Sequence, residues 1–307
     1  MKTVNSISGG KTSAYLAKHY PADYDIFSLV CIKDKECAPK DPKIIQYVND
    51  KLQKFIPEYG EFIATAEDNK TLYVMRDLEQ FIGREITWVR GQDYDDIIDL
   101  GREGYLPSWA RRYCTERMKL LPIFMWWFTE IGEPVKMRIG FRHDEFDRML
   151  RFFNNSNPNE FSIPVACSTK GQRRQRHETF KWRFCEMPLV KDGIENLEIR
   201  SYWANKYVGG TLEQPFKKID FPEISNCAGC FHKKDEVIML EYILNPKLIE
   251  WFARQEEKDM GTWRDDRVTY WQLIERAKKL TPDEIEHLKS KYLRVDGSTC
   301  DTGGCTD

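Results

Sequence analysis

The amino-terminal half of the chain alternates short apolar runs with stretches whose apolar residues recur every three or four positions. Residues 2–8 read as a strand and 13–19 as the start of a helix. Residues 24–32, YDIFSLVCI, are apolar almost throughout, the pattern of a strand covered on both faces inside a parallel sheet. Helical spacing over 44–55 and a short run at 61–64 continue the rhythm as a helix and a third strand. Residues 118–128 predict a buried helix, and 135–141 a further strand. Strands and helices alternating this closely require right-handed crossovers. The expected fold is therefore α/β, a Rossmann-like, doubly wound parallel sheet.

The texture changes near residue 154. NNSNPNEFS reads as loop, and KGQRRQRHETFKWR places seven basic residues, counting His177, in fourteen positions. Beyond Pro188 the pattern turns helical, over 194–207, 235–245, 248–257, 270–277 and 282–293. The chain thus divides into an α/β domain at 1–153, a basic loop-rich insertion at 154–187, a helical part carrying a CxxC pair at 188–295, and a flexible cysteine-containing tail at 296–307.

A length of 307 residues and 41% hydrophobic content suffice for a full core. No apolar run reaches the eighteen or so residues of a membrane helix, and nothing reads as a signal peptide, so a cytoplasmic protein without a membrane partner is expected. The net charge of −2 gives no overall attraction to nucleic acid. Any such contact, to tRNA or DNA, would fall to Lys170, Arg173, Arg174, Arg176, His177, Lys181 and Arg183, interleaved with Phe180 and Trp182; a solvated charge run is the competing reading. Nine cysteines without an export signal point to thiols, metal or catalysis rather than disulfides. Cys31, Cys167 and Cys185 sit in apolar or strand-like settings and read as small buried residues.

Two segments carry recognisable chemistry. In Ser8-Gly9-Gly10-Lys11-Thr12-Ser13 the glycines let the backbone turn sharply after a strand. Its N–H groups and the following helix dipole favour an anion, Lys11 adds a charge, and Ser8, Thr12 and Ser13 add hydroxyl donors. The spacing is not that of a Walker loop. In Asn226-Cys227-Ala228-Gly229-Cys230-Phe231-His232-Lys233, the CxxC puts two thiols on one turn, a geometry shared by zinc sites, iron–sulfur clusters and redox dithiols.

The first segment resembles the SGGxDS loop of the PP-loop ATP pyrophosphatases and their relatives, the phosphoadenosine phosphosulfate (PAPS) reductases, with Thr12 in the place of aspartate. Two more segments resemble the same family: CTERMKLLP from Cys114, and GFRHDEFDR from Gly140. The order and type of these segments are most similar to compact PAPS-reductase-family proteins of phages and bacteria. The resemblance covers about residues 1–270. It implies an adenine-nucleotide alpha-hydrolase-like domain that holds ATP (or PAPS) with Mg2+ at Ser8 to Ser13, with Lys119, Arg142 and Arg148 facing the anion. It also implies a metal group on Cys114, Cys227 and Cys230, a 4Fe-4S cluster or zinc. Thr115 stands where the fourth cysteine would be, and His232, Cys300 or Cys305 are the remaining candidates.

Three readings follow. One is an adenylating enzyme coupled to sulfur transfer, served by a thioredoxin-like or sulfur-donor protein. The second is a PAPS or adenylyl-sulfate reductase whose nucleophile is Cys305 in the tail. The third is a nucleotide- or nucleic-acid-binding module without catalysis.

Overall fold

The computed structural model describes residues 1–55, 57–100, 106–108, 112–155, 157–167, 175–205, 219–259, 261–264 and 268–293. Its strands are β1 (Thr3–Ile7), β2 (Tyr24–Leu29), β3 (Cys31–Ile32), β4 (Ala64–Thr65), β5 (Ile86–Arg90), β6 (Val135–Arg138), β7 (Glu160–Cys167), β8 (Gln175–Lys181) and β9 (Arg183–Glu186). The main helices are α1 (Lys11–His19), α2 (Pro42–Gln53), α3 (Lys70–Ile82), α4 (Tyr94–Leu100), α5 (Leu121–Glu130) and α6 (Phe146–Asn155). After the sheet come α7 (Asn196–Asn205), α8 (Asp235–Leu244), α9 (Pro246–Asp259), α10 (Tyr270–Ala277) and α11 (Pro282–Tyr292).

Five strands form one sheet in the order β5-β2-β1-β6-β9, and every pairing in it is parallel. The chain steps outward from β1 to β2 to β5, then returns to the other side of β1. That reversal between β1 and β6 opens a crevice at the carboxyl ends of the central strands, where open α/β sheets hold ligands. Helices cover both faces. Ile7, Phe27, Leu29 and Trp88 pack with α1, α2 and α3 on one face. On the other, Val4, Ile26, Val89, Val135 and Met137 pack with α5 and with Phe161 and Phe180 of the β7–β8 hairpin.

Two expectations are corrected. The run at 61–64 is not the sheet's third strand: β4 pairs antiparallel with β3, off the main sheet. The Val30 carbonyl causes the departure by accepting from Thr65 Oγ1 at 2.8 Å and from the Ala66 N–H at 3.0 Å. The third strand is β5, ITWVR, buried at every position. Nor is 154–187 a loop-rich insertion. It contains an antiparallel hairpin and β9, which pairs in parallel with β6 and completes the sheet. Trp182, fully buried between β8 and β9, stands 5.6 Å from Phe124 and 6.1 Å from Trp127, ring centre to ring centre, and pins the hairpin to α5.

The helical carboxyl-terminal part packs on the edge that β3 and β4 create. Phe231, Ile238, Trp251, Phe252, Trp263 and Tyr270 share a core with Ile32, Ala64 and Tyr94 of α4. Among the described residues no helix is long and apolar enough to cross a membrane.

Candidate functional site

The turn after β1 is built from its own side chains. Gly9 sits at φ 81°, a left-handed conformation that favours glycine, and a Cβ there would lie 2.6 Å from Thr71 Cγ2. Gly10 is the extended residue that starts α1. The Ser13 hydroxyl accepts from the Ser8 N–H at 3.1 Å and donates to the Gly10 carbonyl at 3.1 Å, closing the loop on the first turn of the helix. The positive end of the α1 dipole therefore faces the crevice mouth.

The loop after β6 lies against this turn. A Cβ on Gly140 would be 3.4 Å from Thr12 Cγ2, and Arg142 Nη1 donates to Thr12 Oγ1 at 3.2 Å. Thr12, standing where the resembling motif has aspartate, thus meets the arginine with a neutral hydroxyl rather than a carboxylate. Asp144 and Glu145 hold the same guanidinium at 3.1 and 3.4 Å. Arg148 reaches Glu145 at 2.5 Å and lies 5.0 Å over the Phe141 ring. Arg148 therefore braces the acid that orients Arg142, and Arg142 is the arginine that reaches the loop.

A second loop system closes the crevice from the side. Asn226 Nδ2 donates to the Ser8 carbonyl, and the Asp68 N–H donates to the Asn226 carbonyl at 2.8 Å. Glu67 and Cys227 form an antiparallel bridge, and the Ala228 N–H donates to Ala66 at 3.2 Å. The CxxC turn is thereby laid along the segment that follows β4. Its tight point is Gly229, at φ 56°, with the Phe252 ring 2.3 Å from where a Cβ would stand. Buried Lys233 donates to the Cys227 carbonyl and pairs with Glu241. Glu241 in turn accepts from the Gly229 N–H at 3.0 Å, and the Tyr270 hydroxyl donates to the Gly229 carbonyl at 2.7 Å.

Ser8, Asn226, Cys114, Cys227 and Cys230 line one cavity of about 120 Å³, together with Glu67 and Lys119. Lys119 is set by a π-helical turn, Glu116–Leu120, that leads directly into α5; such turns recur at functional positions. Its ammonium lies 3.4 Å from Cys227 Sγ and 3.3 Å from Glu67 Oε1. Burial works against the charged lysine, yet the facing Cys227 and Glu67 raise its pKa above the ordinary lysine value. Burial raises the Glu67 pKa, with Lys119 opposing. The Cys230 thiol is pushed up to about 12, first by burial and then by the neighbouring Cys227. Cys114 is raised for the same two reasons. Of the three sulfurs, Cys227 is within 3.4 Å of the Lys119 ammonium.

The structure thus brings the loop at Ser8, the lysine Lys119 and the cysteines Cys114, Cys227 and Cys230 to one cavity, with Arg142 against the same loop. It sets Lys11 apart: that residue lines a different surface cleft, and its carbonyl accepts from Trp203 Nε1 at 2.9 Å. Three thiols on one wall have the donor chemistry of a soft-metal site. Among the described residues no group of three or more His, Cys, Asp or Glu side chains is placed to hold a metal ion. His232 is buried and lines the cavity. Cys300, Cys305, Lys170, Arg173 and Arg174 lie outside the described residues. Arg176, His177 and Lys181 stand exposed on β8, whereas Arg183 is buried and donates to the Pro158 carbonyl at 2.7 Å.

Glu67 and Glu241 gave no signal in the sequence, because charged residues outside a recognised motif read as solvated surface, whereas Lys233 closes the quoted CxxC segment. Compared with protein-family models, with curated proteins and with solved structures, the chain has no match.

Proposed function

We propose that this chain is an adenylating enzyme that binds ATP at Ser8 to Ser13 and couples the activated acceptor to sulfur transfer in the cysteine-lined cavity. The observation that supports the reading is the shared cavity: the anion-favouring loop contributes Ser8 to the same walls as Lys119 and three thiols. Nucleotide and sulfur chemistry need that proximity, since an adenylate must meet its nucleophile before water does.

In this reading an acceptor oxygen attacks the α-phosphorus, pyrophosphate leaves, and the acceptor carries AMP. The loop amides, the α1 dipole and Arg142 counter the charge of the departing pyrophosphate. Magnesium would arrive on the polyphosphate and neutralise it further. Cys227 carries the transferred sulfur as a persulfide received from a donor protein, with Lys119 stabilising the sulfur anion. The persulfide sulfur attacks the activated carbon, and AMP departs with the acceptor's oxygen. A second thiol, Cys230 or Cys114, opens the resulting mixed disulfide, releases the thiolated acceptor and leaves a protein disulfide that an external thiol reduces.

Pyrophosphate release from ATP, measured beside sulfite release from PAPS, tests the assignment. Pyrophosphate alone is the expected result. Sulfite release without pyrophosphate would move the protein to the reductases, and neither product would leave a binding module.

A further inference from the structure

A second cleft, of about 570 Å³, opens on the other side of the π-helical turn. Its size is that of a small-molecule site. Glu116 and Arg117 line it, while Met118 and Lys119 of the same turn line the cysteine cavity. Gly91 makes this contact possible: a Cβ there would stand 2.8 Å from the Arg117 carbonyl.

The cleft has aromatic walls, Phe55, Tyr59, Trp126 and Phe161. Tyr59 is the exposed ring among them. At the carboxyl end of β5 lies Arg90, only 2% exposed, its guanidinium 6.0 Å from the centre of the Tyr59 ring. One terminal nitrogen pairs with Asp93, and Nε reaches the Gly91 carbonyl at 3.5 Å. The other terminal nitrogen, Nη1, is buried without a hydrogen-bond partner among the described residues. An unsatisfied buried donor is costly to keep, and a ligand that brings an acceptor relieves that cost.

The surrounding charges say what kind of acceptor. Asp93 already neutralises Arg90, and Glu58, Glu116 and Glu130 line the cleft with Arg117. A carboxylate or phosphate would meet this acidic rim, and with Nη2 engaged Arg90 cannot offer it a two-point grip. A neutral carbonyl oxygen fits the unpaired Nη1 of Arg90, and a flat ring fits the aromatic walls. We propose that this cleft is a binding site for a neutral planar heteroaromatic ring bearing a carbonyl, the chemistry of an oxo-purine or oxo-pyrimidine base. The inference does not rest on the adenylation reading.

Hypoxanthine and purine differ by that one oxygen and are the probes, with benzoate as the anionic control, each titrated calorimetrically into the full chain. Hypoxanthine is expected to bind at least tenfold more tightly than purine or benzoate. Saturating ATP should leave its affinity unchanged, which separates this cleft from the loop at Ser8 to Ser13. Tyr59→Ala, at an exposed ring, should weaken hypoxanthine at least fivefold with no change in melting temperature. Arg90→Lys should abolish the preference over purine. Equal binding of the three probes, no binding of hypoxanthine, full competition by ATP, or an unaltered affinity in a folded Tyr59→Ala protein would each overturn the proposal.

Discussion

The side-chain amide of Asn226 donates to the carbonyl oxygen of Ser8, tying the thiol turn to the glycine loop across 218 positions of sequence. Neither segment alone makes the site. The loop supplies the anion-favouring turn, and the CxxC supplies the sulfur. The amide sets the distance between them.

The loop has no room for a side chain at Gly9. Alanine would need a left-handed backbone and would meet Thr71 at 2.6 Å. Gly9→Ala should destabilise the fold by about 1–3 kcal/mol and abolish pyrophosphate release. Thermal unfolding and the release assay check both effects.

Gly229 is tighter still, because the Phe252 ring occupies the place of a Cβ at 2.3 Å. Gly229→Ala should cost about 3 kcal/mol or more through overpacking and strain. The double variant Gly229→Ala/Phe252→Ala should recover part of the thiol reactivity of Cys227, although not the lost core packing. Melting curves and iodoacetamide labelling report the two separately.

Lys119 is the cation beside Cys227. Lys119→Met leaves Glu67 buried without its charge partner, a change expected to cost about 3–5 kcal/mol, and Glu67→Gln in the same chain should return much of that stability. The sulfur at Cys227 stays without a cation in both variants, so labelling of Cys227 at neutral pH should remain slow in the rescued protein. Cys227→Ser should keep pyrophosphate release and lose thiolated product.

Arg142 holds its fork between Thr12, Asp144 and Glu145. Arg142→Lys keeps the charge and loses the planar donor pair, so ATP binding should weaken by about tenfold, equivalent to about 1.4 kcal/mol. An unchanged affinity by calorimetry would remove Arg142 from the nucleotide site.

Asp25 offers a pH test away from the site. Burial raises its pKa above the ordinary aspartate value, against the lowering by Asn5 and Arg84. The folded protein then holds a proton that the unfolded chain has already released. The contribution to stability is greatest below the unfolded pKa and is lost as pH rises through the folded one. Asp25→Asn removes that loss. Its melting temperature relative to wild type should rise as the pH climbs above the ordinary aspartate pKa of about 4.

Apolar periodicity made much of this fold legible. YDIFSLVCI announced β2, and α10 spans the very residues, Tyr270–Ala277, that its spacing predicts. The losses share a cause, which is that burial of polar residues leaves no periodic trace. β9 was hidden because Arg183 and Glu186 read as surface, whereas Arg183 is folded inward against Pro158 and Met137. β4 misled because two residues of true strand lie beside a longer apolar stretch. Of the site, the sequence carried the residues that resembled a known pattern: the loop, Lys119, Arg142 and the three cysteines. Glu67 and Glu241, the partner of Lys233, lay outside it, since they act by holding backbone and neighbours in place.

The early departure of β3 from the sheet has a consequence for assembly. By turning Val30 toward Thr65 and Ala66, the chain exposes an edge that α4 and the helices beyond residue 230 cover. The sulfur-bearing turn seats on that same edge, so it can settle only after nearly all of the polypeptide has been made. Contacts this distant in sequence form late, and a nascent chain that has already shaped the turn after β1 would still lack the thiols that line the same cavity.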